Sequence, residues 1–259
     1  AEAYRESFEK FTSLIRPDGC LLIKKGINVT PRLQEGVKKY TYSVTEIADF
    51  YAENIRICDG NITFDFVGPE IRIPDVELGV PVKVNIENGV AAMAIAWLNG
   101  VKPEDLKKGM ATFAGPRRRF DFHLKTDQVV LIDDYAHHPS EIRATLKAAA
   151  NYPHREIWCV FQPHTYTRTR AFMHEFAEAL SLADHVVLAE IYPARETDNL
   201  GISSRTLQAE LHKIGKDCDY FSTFEEIEEF LLKNCMHGDL LITMGAGDIV
   251  KVGEKLLNK

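Results

Sequence analysis

The residues Asp133-Asp134-Tyr135-Ala136-His137-His138-Pro139-Ser140-Glu141 place carboxylates, a phenol and two imidazoles next to one another. Such groups exchange protons near neutral pH, bond phosphate or ribose, or ligate a metal. Adjacent histidines rarely chelate one ion, and no further His or Cys follows at ligand spacing, so no metal site is expected here. A second run, Phe161-Gln162-Pro163-His164-Thr165-Tyr166-Thr167-Arg168-Thr169-Arg170, offers guanidinium groups whose planar fork suits a carboxylate or a phosphate. His164 and Arg168 read as ligand contacts, and Arg170 as the start of an exposed helix. In Glu190-Ile191-Tyr192-Pro193-Ala194-Arg195-Glu196-Thr197, Pro193 fixes a turn. The rest of that run reads equally as a substrate loop or as a rigid connection. Gly245-Ala246-Gly247 can cradle an anion, but is read first as a tight turn packing a helix onto its sheet.

Each run follows a short apolar segment. Strands are expected at Val129–Asp133, Glu156–Phe161, His185–Ala189, Cys218–Phe221 and Asp239–Met244, and helices at Ser140–Asn151, Arg170–Leu182, Ser203–Ile214, Thr223–Leu232 and Ala246–Leu257. This alternation predicts a mostly parallel sheet covered on both faces, with ligands beyond the carboxyl ends of its strands. The clusters around His137 and Arg168 are therefore expected to cap neighbouring strands and converge on a shared pocket. The region before about residue 121 has another grammar. An amphipathic helix pattern (Tyr4, Phe8, Phe11, Leu14, Ile15) opens the chain, and Leu21 to Lys24 reads as a buried strand. Asp59-Gly60 reads as a hairpin turn between alternating runs, and Ile71 to Leu78 is extended. Ile86, Val90, Met93, Ala94 and Trp97 mark a helix. Asn85 and Asn88 share a face at its start, suited either to the edge of a purine ring or to capping. The triplet Arg117-Arg118-Arg119 is either a solvated face or a phosphate contact at a domain junction.

The 259 residues are 45% hydrophobic and 27% charged, enough for a sizeable core in one or two domains. A net charge of −7 gives no electrostatic reason to bind nucleic acid or an anionic membrane. Five scattered cysteines without a C-x-x-C pair point to a reducing, cytoplasmic compartment.

The runs Asp134 to Pro139, Phe161 to Thr169, Glu190 to Ala194 and Gly245 to Gly247 resemble the Mur ligases, in the same order and along essentially the whole chain. The resemblance implies an α/β architecture. Residues 1–121 would be the rear part of the family's ATP-binding central domain, and residues 122–259 its C-terminal Rossmann-like ligase domain with a mostly parallel sheet. It implies an ATP- and Mg²⁺-dependent amide-bond ligase of peptidoglycan precursor synthesis, adding L-alanine to UDP-N-acetylmuramate through an acyl phosphate. His137, His164 and Arg168 take catalytic roles in that picture. Asn85, Asn88, Arg119, Asp134, Tyr135 and His138 contact the nucleotide, and Tyr166, Tyr192 and Glu196 the substrate. Val84, Thr165 and Arg195 stand where the family commonly has histidine, arginine and glycine. No Gly-x-x-x-x-Gly-Lys-Ser/Thr occurs, so no loop cradling ATP phosphates is encoded. The chain is accordingly expected to be the C-terminal part of a longer enzyme, inactive alone. The alternatives are a ligase that recycles a murein tripeptide and a non-catalytic binding module.

Overall fold

The computed structural model describes residues 2–58, 61–80, 82–126 and 128–258. The chain divides into two compact units, Ala1–Phe113 and Ala114–Lys259. The division falls ahead of the expected 121/122 boundary because the segment after Phe113 bonds into the second unit, through Arg118 to Asp133 and Phe120 to Asp134.

Unit 1 runs α1 (Glu2–Thr12), β1 (Cys20–Lys24), β2 (Lys38–Ser43), β3 (Phe50–Cys58), β4 (Asn61–Gly68), β5 (Ile71–Glu77), α2 (Lys83–Leu98) and α3 (Pro103–Thr112). The sheet order is β1-β2-β3-β4-β5, with β1 to β3 parallel and β4 and β5 antiparallel. Asp59-Gly60 lies outside the described residues; the flanking strands pair with Cys58 opposite Asn61. Phe64 and Phe66 alternate onto the buried face, where Phe50, Val90 and Met93 join them. Pro74 is tolerated within β5 because that strand is an edge. The strand β2 is absent from the sequence expectation: its tyrosines Tyr40 and Tyr42 are only partly buried and give no apolar run. The aromatic residues of α1 remain exposed, Tyr4 at 72% and Phe11 at 67%.

Unit 2 runs β6 (Asp121–Lys125), β7 (Val130–Asp134), α4 (Pro139–Ala149), β8 (Ile157–Phe161), α5 (Tyr166–Ala171), α6 (Met173–Leu180), β9 (His185–Leu188), α7 (Ser204–Lys213), β10 (Asp219–Tyr220), α8 (Phe224–Asn234), β11 (Leu240–Met244) and α9 (Val250–Leu256). The sheet order is β10-β9-β8-β11-β7-β6, all parallel except β6. The central strands β8 and β11 are buried at every position, as continuous apolar runs require when both faces are covered. Leu131, Trp158, Val160, Val187 and Leu241 pack with Ile227 and Leu231 of α8 and Val252 of α9. The pleat turns Phe161 to the other face, where it meets Phe176 of α6 at a ring separation of 5.6 Å.

Two differences from expectation bear on the site. The strands β7 and β8 are not neighbours, because β11 lies between them. The helix expected from Arg170 starts instead at Tyr166 and breaks at Phe172 (φ −122°, ψ 28°) into α5 and α6. Replacing Ile242, fully buried in β11, with alanine leaves a cavity in the middle of this sheet. Urea unfolding is expected to show a loss of about 2–5 kcal/mol for Ile242→Ala, with Leu232→Ala, at an exposed position of α8, near neutral.

Candidate active site at the carboxyl edge of the parallel sheet

Register sets Asp134, Met244, Phe161 and Leu188 level with one another, so β7, β11, β8 and β9 end on one line. At the end of β7 the two carboxylates turn inward. Asp133, 1% exposed, accepts from Arg118 Nε at 2.9 Å and Thr243 Oγ1 at 2.7 Å. Arg118 also donates to the Gly245 carbonyl at 2.7 Å, and its own carbonyl accepts from the Tyr135 N–H. Asp134 accepts from the Ala136 and Phe120 N–H groups and from Thr145 Oγ1. Burial pushes its carboxyl above the usual range, against the pull of those bonds. Both oxygens of Asp134 are engaged within the chain, so it organises the loop.

The loop then begins α4. His138 is the N-cap: its Nδ1 accepts from the Ser140 N–H, while Glu141 accepts from the His137 and His138 N–H groups in a capping box. Burial tends to raise Glu141, but the His137 N–H, the His137 and Arg119 charges and the His138 N–H together hold it below its usual value. His137 Nδ1 lies 2.9 Å from the Tyr135 carbonyl, which can only accept. Nδ1 therefore carries the proton, and Nε2 is the ring's other exchangeable position. The Tyr135 ring lies under two guanidinium groups, Arg118 at 4.9 Å and Arg119 at 5.4 Å.

Beyond β8, Gln162 and Pro163 carry the chain to His164, which forms a parallel bridge with Tyr192. Their rings stack at 5.6 Å. The Thr165 N–H donates to the Tyr192 carbonyl, and Thr165 caps α5 with φ 68°, an uncommon conformation for a β-branched residue. Arg168 Nη1 lies 3.4 Å from His164 Nδ1. The Glu196 carboxylate accepts from the Tyr166 and Thr167 N–H groups and from the Thr167 hydroxyl.

The His137 and His164 rings approach to 6.0 Å although β11 separates their strands. Small residues after β11 let the loops cross it. A Cβ on Gly245 (φ 144°) would lie 2.6 Å from the Gln162 carbonyl, and one on Gly247 would strike the Gln162 side chain and the Tyr192 ring. Close packing accounts for both glycines.

The structure thus gathers Tyr135, His137, His164, Arg168, Tyr192 and Glu196 into linked contacts, with Tyr166 at the start of α5 and Arg119 and His138 on the flank. Asn85 and Asn88 belong to unit 1. There Asn85 donates to the Val80 carbonyl and Asn88 to Asn85, beside an apolar pocket of about 230 Å³ lined by Leu78, Ala92, Met110 and Phe113. Arg118 is the organising residue that sequence reasoning did not single out from its basic triplet, since one Arg among three carries no signal of a buried partner; Glu141 stands in the first turn of α4. Among the described residues, no group of three or more His, Cys, Asp or Glu side chains is arranged to hold a metal, and no helix is long and apolar enough to cross a membrane.

Residues 118–247 match the family described as Mur ligase, glutamate ligase domain, and the chain belongs to the Mur ligases. It is 82% identical over 208 residues to the UDP-N-acetylmuramate–L-alanine ligase of Parabacteroides distasonis, covering 80% of this chain and 45% of that protein. It is 53% identical over 250 residues to the ligase of the same name from Phocaeicola vulgatus, covering 96% of this chain and 53% of that one. The solved structure of UDP-N-acetylmuramate-alanine ligase MurC from Thermotoga maritima shares the fold, with a TM-score of 0.80 at 24% identity over 99% of this chain and 54% of that one. The chain spans about half the length of these relatives.

His164 offers a test of the site's electrostatics. Burial, then the Arg168 and His137 charges, hold its imidazole below the usual 6.5, against an opposing pull from Glu196. The unfolded chain takes up this proton more readily than the folded one. The stabilisation is therefore complete above 6.5 and is lost as pH falls through the lowered folded value. An NMR titration is expected to place the His164 midpoint below 6.5, and His164→Gln to lose stability less steeply on acidification.

Proposed function

We propose that this chain is the amino-acid-accepting part of a cytoplasmic ligase that uses ATP to join L-alanine to UDP-N-acetylmuramate. The reading is supported most by the approach of His137 to His164 with Arg168 bonded alongside, at strand ends of a Mur ligase domain. In the reaction the sugar-linked carboxylate accepts a phosphoryl group, the alanine amine attacks the resulting carbonyl carbon, and phosphate leaves as the amide forms. The protein's contribution is positioning and charge neutralisation. The Arg168 fork pairs with the carboxylate of the incoming alanine. His164, neutral at physiological pH, accepts from Arg168 and so orients it. His137, anchored through Nδ1, receives the proton of the attacking amine at Nε2. Tyr166 and Tyr192 line the acceptor's surroundings.

In unit 1, Asn85 and Asn88 are read as purine contacts; in unit 2, Arg119 is read as a phosphate contact, and Tyr135 and His138 as further nucleotide contacts. Asp134 acts through the loop it holds. The apolar pocket beside the two asparagines suits a flat heterocycle with a polar edge. Mg²⁺ would accompany ATP and neutralise its phosphates; no residue of this chain is assigned to it.

The test is phosphate release by the full-length protein carrying this sequence. Release is expected to require both UDP-N-acetylmuramate and L-alanine, and the 259-residue chain alone is expected to give none. Arg168→Lys, which loses the bidentate fork, is expected to raise KM for L-alanine by about tenfold or more. Turnover that prefers a murein tripeptide, or that needs no amino acid, would sink this reading.

A further inference from the structure

Glu196 was expected to touch substrate, but its surroundings describe a different task. Its Oε2 accepts from both the Tyr166 and Thr167 N–H groups, and its Oε1 from the Thr167 hydroxyl. These are donors of the first turn of α5, which would otherwise lack partners. The next residue of that turn is Arg168, whose guanidinium meets His164. Thr165, immediately before, sits at φ 68° and so stores backbone strain that its surroundings must hold. The two loops are also joined by main chain, Thr165 N–H to the Tyr192 carbonyl and Tyr192 N–H to the Pro163 carbonyl.

We propose that Glu196 is a positioning residue: it clamps the first turn of α5 and thereby sets where Arg168 stands, without itself touching the amino acid. The proposal rests on the reading of Arg168 as the anchor for the L-alanine carboxylate. It makes the loop 190–197 a determinant of amino-acid affinity acting through a helix. A substrate contact would use the charge of Glu196 on the alanine ammonium. A clamp uses its oxygens as hydrogen-bond acceptors.

Glutamine separates the two. The Glu196→Gln side chain keeps one carbonyl oxygen, and a single oxygen already serves both N–H groups. The Thr167 hydroxyl can turn to accept from the new amide. Glu196→Ala removes every acceptor. In the full-length protein, the Ala variant is expected to raise KM for L-alanine roughly tenfold, with KM for ATP changed less than about twofold, and the Gln variant to stay within about threefold of the parent. Hydrogen exchange of the amides of residues 166–171 is expected to quicken in the Ala variant and not in the Gln variant. If Gln is as damaging to KM as Ala, or if exchange is the same in all three proteins, the clamp is wrong. If the parent protein fails to use L-alanine, the functional reading falls, and the exchange comparison still decides the clamp by itself.

Discussion

The ion pair between Arg118 and Asp133 ties together three pieces of chain that are distant in sequence. It joins the segment entering unit 2, the end of β7 and, through the Gly245 carbonyl and Thr243, the end of β11. A carboxylate as buried as Asp133 is costly without a cation and further donors, and here it has both. The value of such a pair lies in where it fixes its neighbours. The Arg118 carbonyl receives the Tyr135 N–H and its guanidinium lies over the Tyr135 ring, so the loop carrying His137 starts from a defined point. Displacement of that loop would give up both the Tyr135 N–H bond and the ring contact with Arg118.

On this base the site is assembled from helix starts. The His137 loop is closed by the capping box of α4, and the Arg168 turn by Thr165 and Glu196 at the start of α5. Functional side chains thus share residues with the devices that begin helices. His138 and Glu141 show this most directly: both belong to a polar cluster that looks chemical, yet their bonds cap the start of a helix. The electrostatics follow from the same crowding. His164 is pressed toward neutrality by burial and by the Arg168 charge beside it, which keeps a lone pair facing Arg168.

Much of unit 2 was legible because parallel strands buried on both faces must be apolar throughout, as β8 and β11 are. Polar runs immediately after such strands marked the His137 and Arg168 loops. Strand order was not legible: nothing in the residues says that β11 inserts between β7 and β8, since pairing partners of parallel strands are set by tertiary packing. The start of α5 was missed because Tyr166 to Arg170 has no apolar period; its helix depends on Glu196, far along the chain. Likewise β2 and β6 lack apolar runs, being half-buried. The inward turn of Asp134 needed coordinates, since a buried carboxylate and a ligand-facing one look identical as letters.

The two ends of the unit 2 sheet differ from its middle in a way that governs behaviour in concentrated solution. On one side β10 is only two residues long, and on the other β6 runs antiparallel with an irregular register between Phe122 and Leu124 and a lysine at its close. Neither rim offers the long, flat, unpaired ribbon onto which another molecule's backbone could zip. A sheet rich in valine, isoleucine and leucine is thereby kept from propagating into fibrils by the shape of its outermost strands.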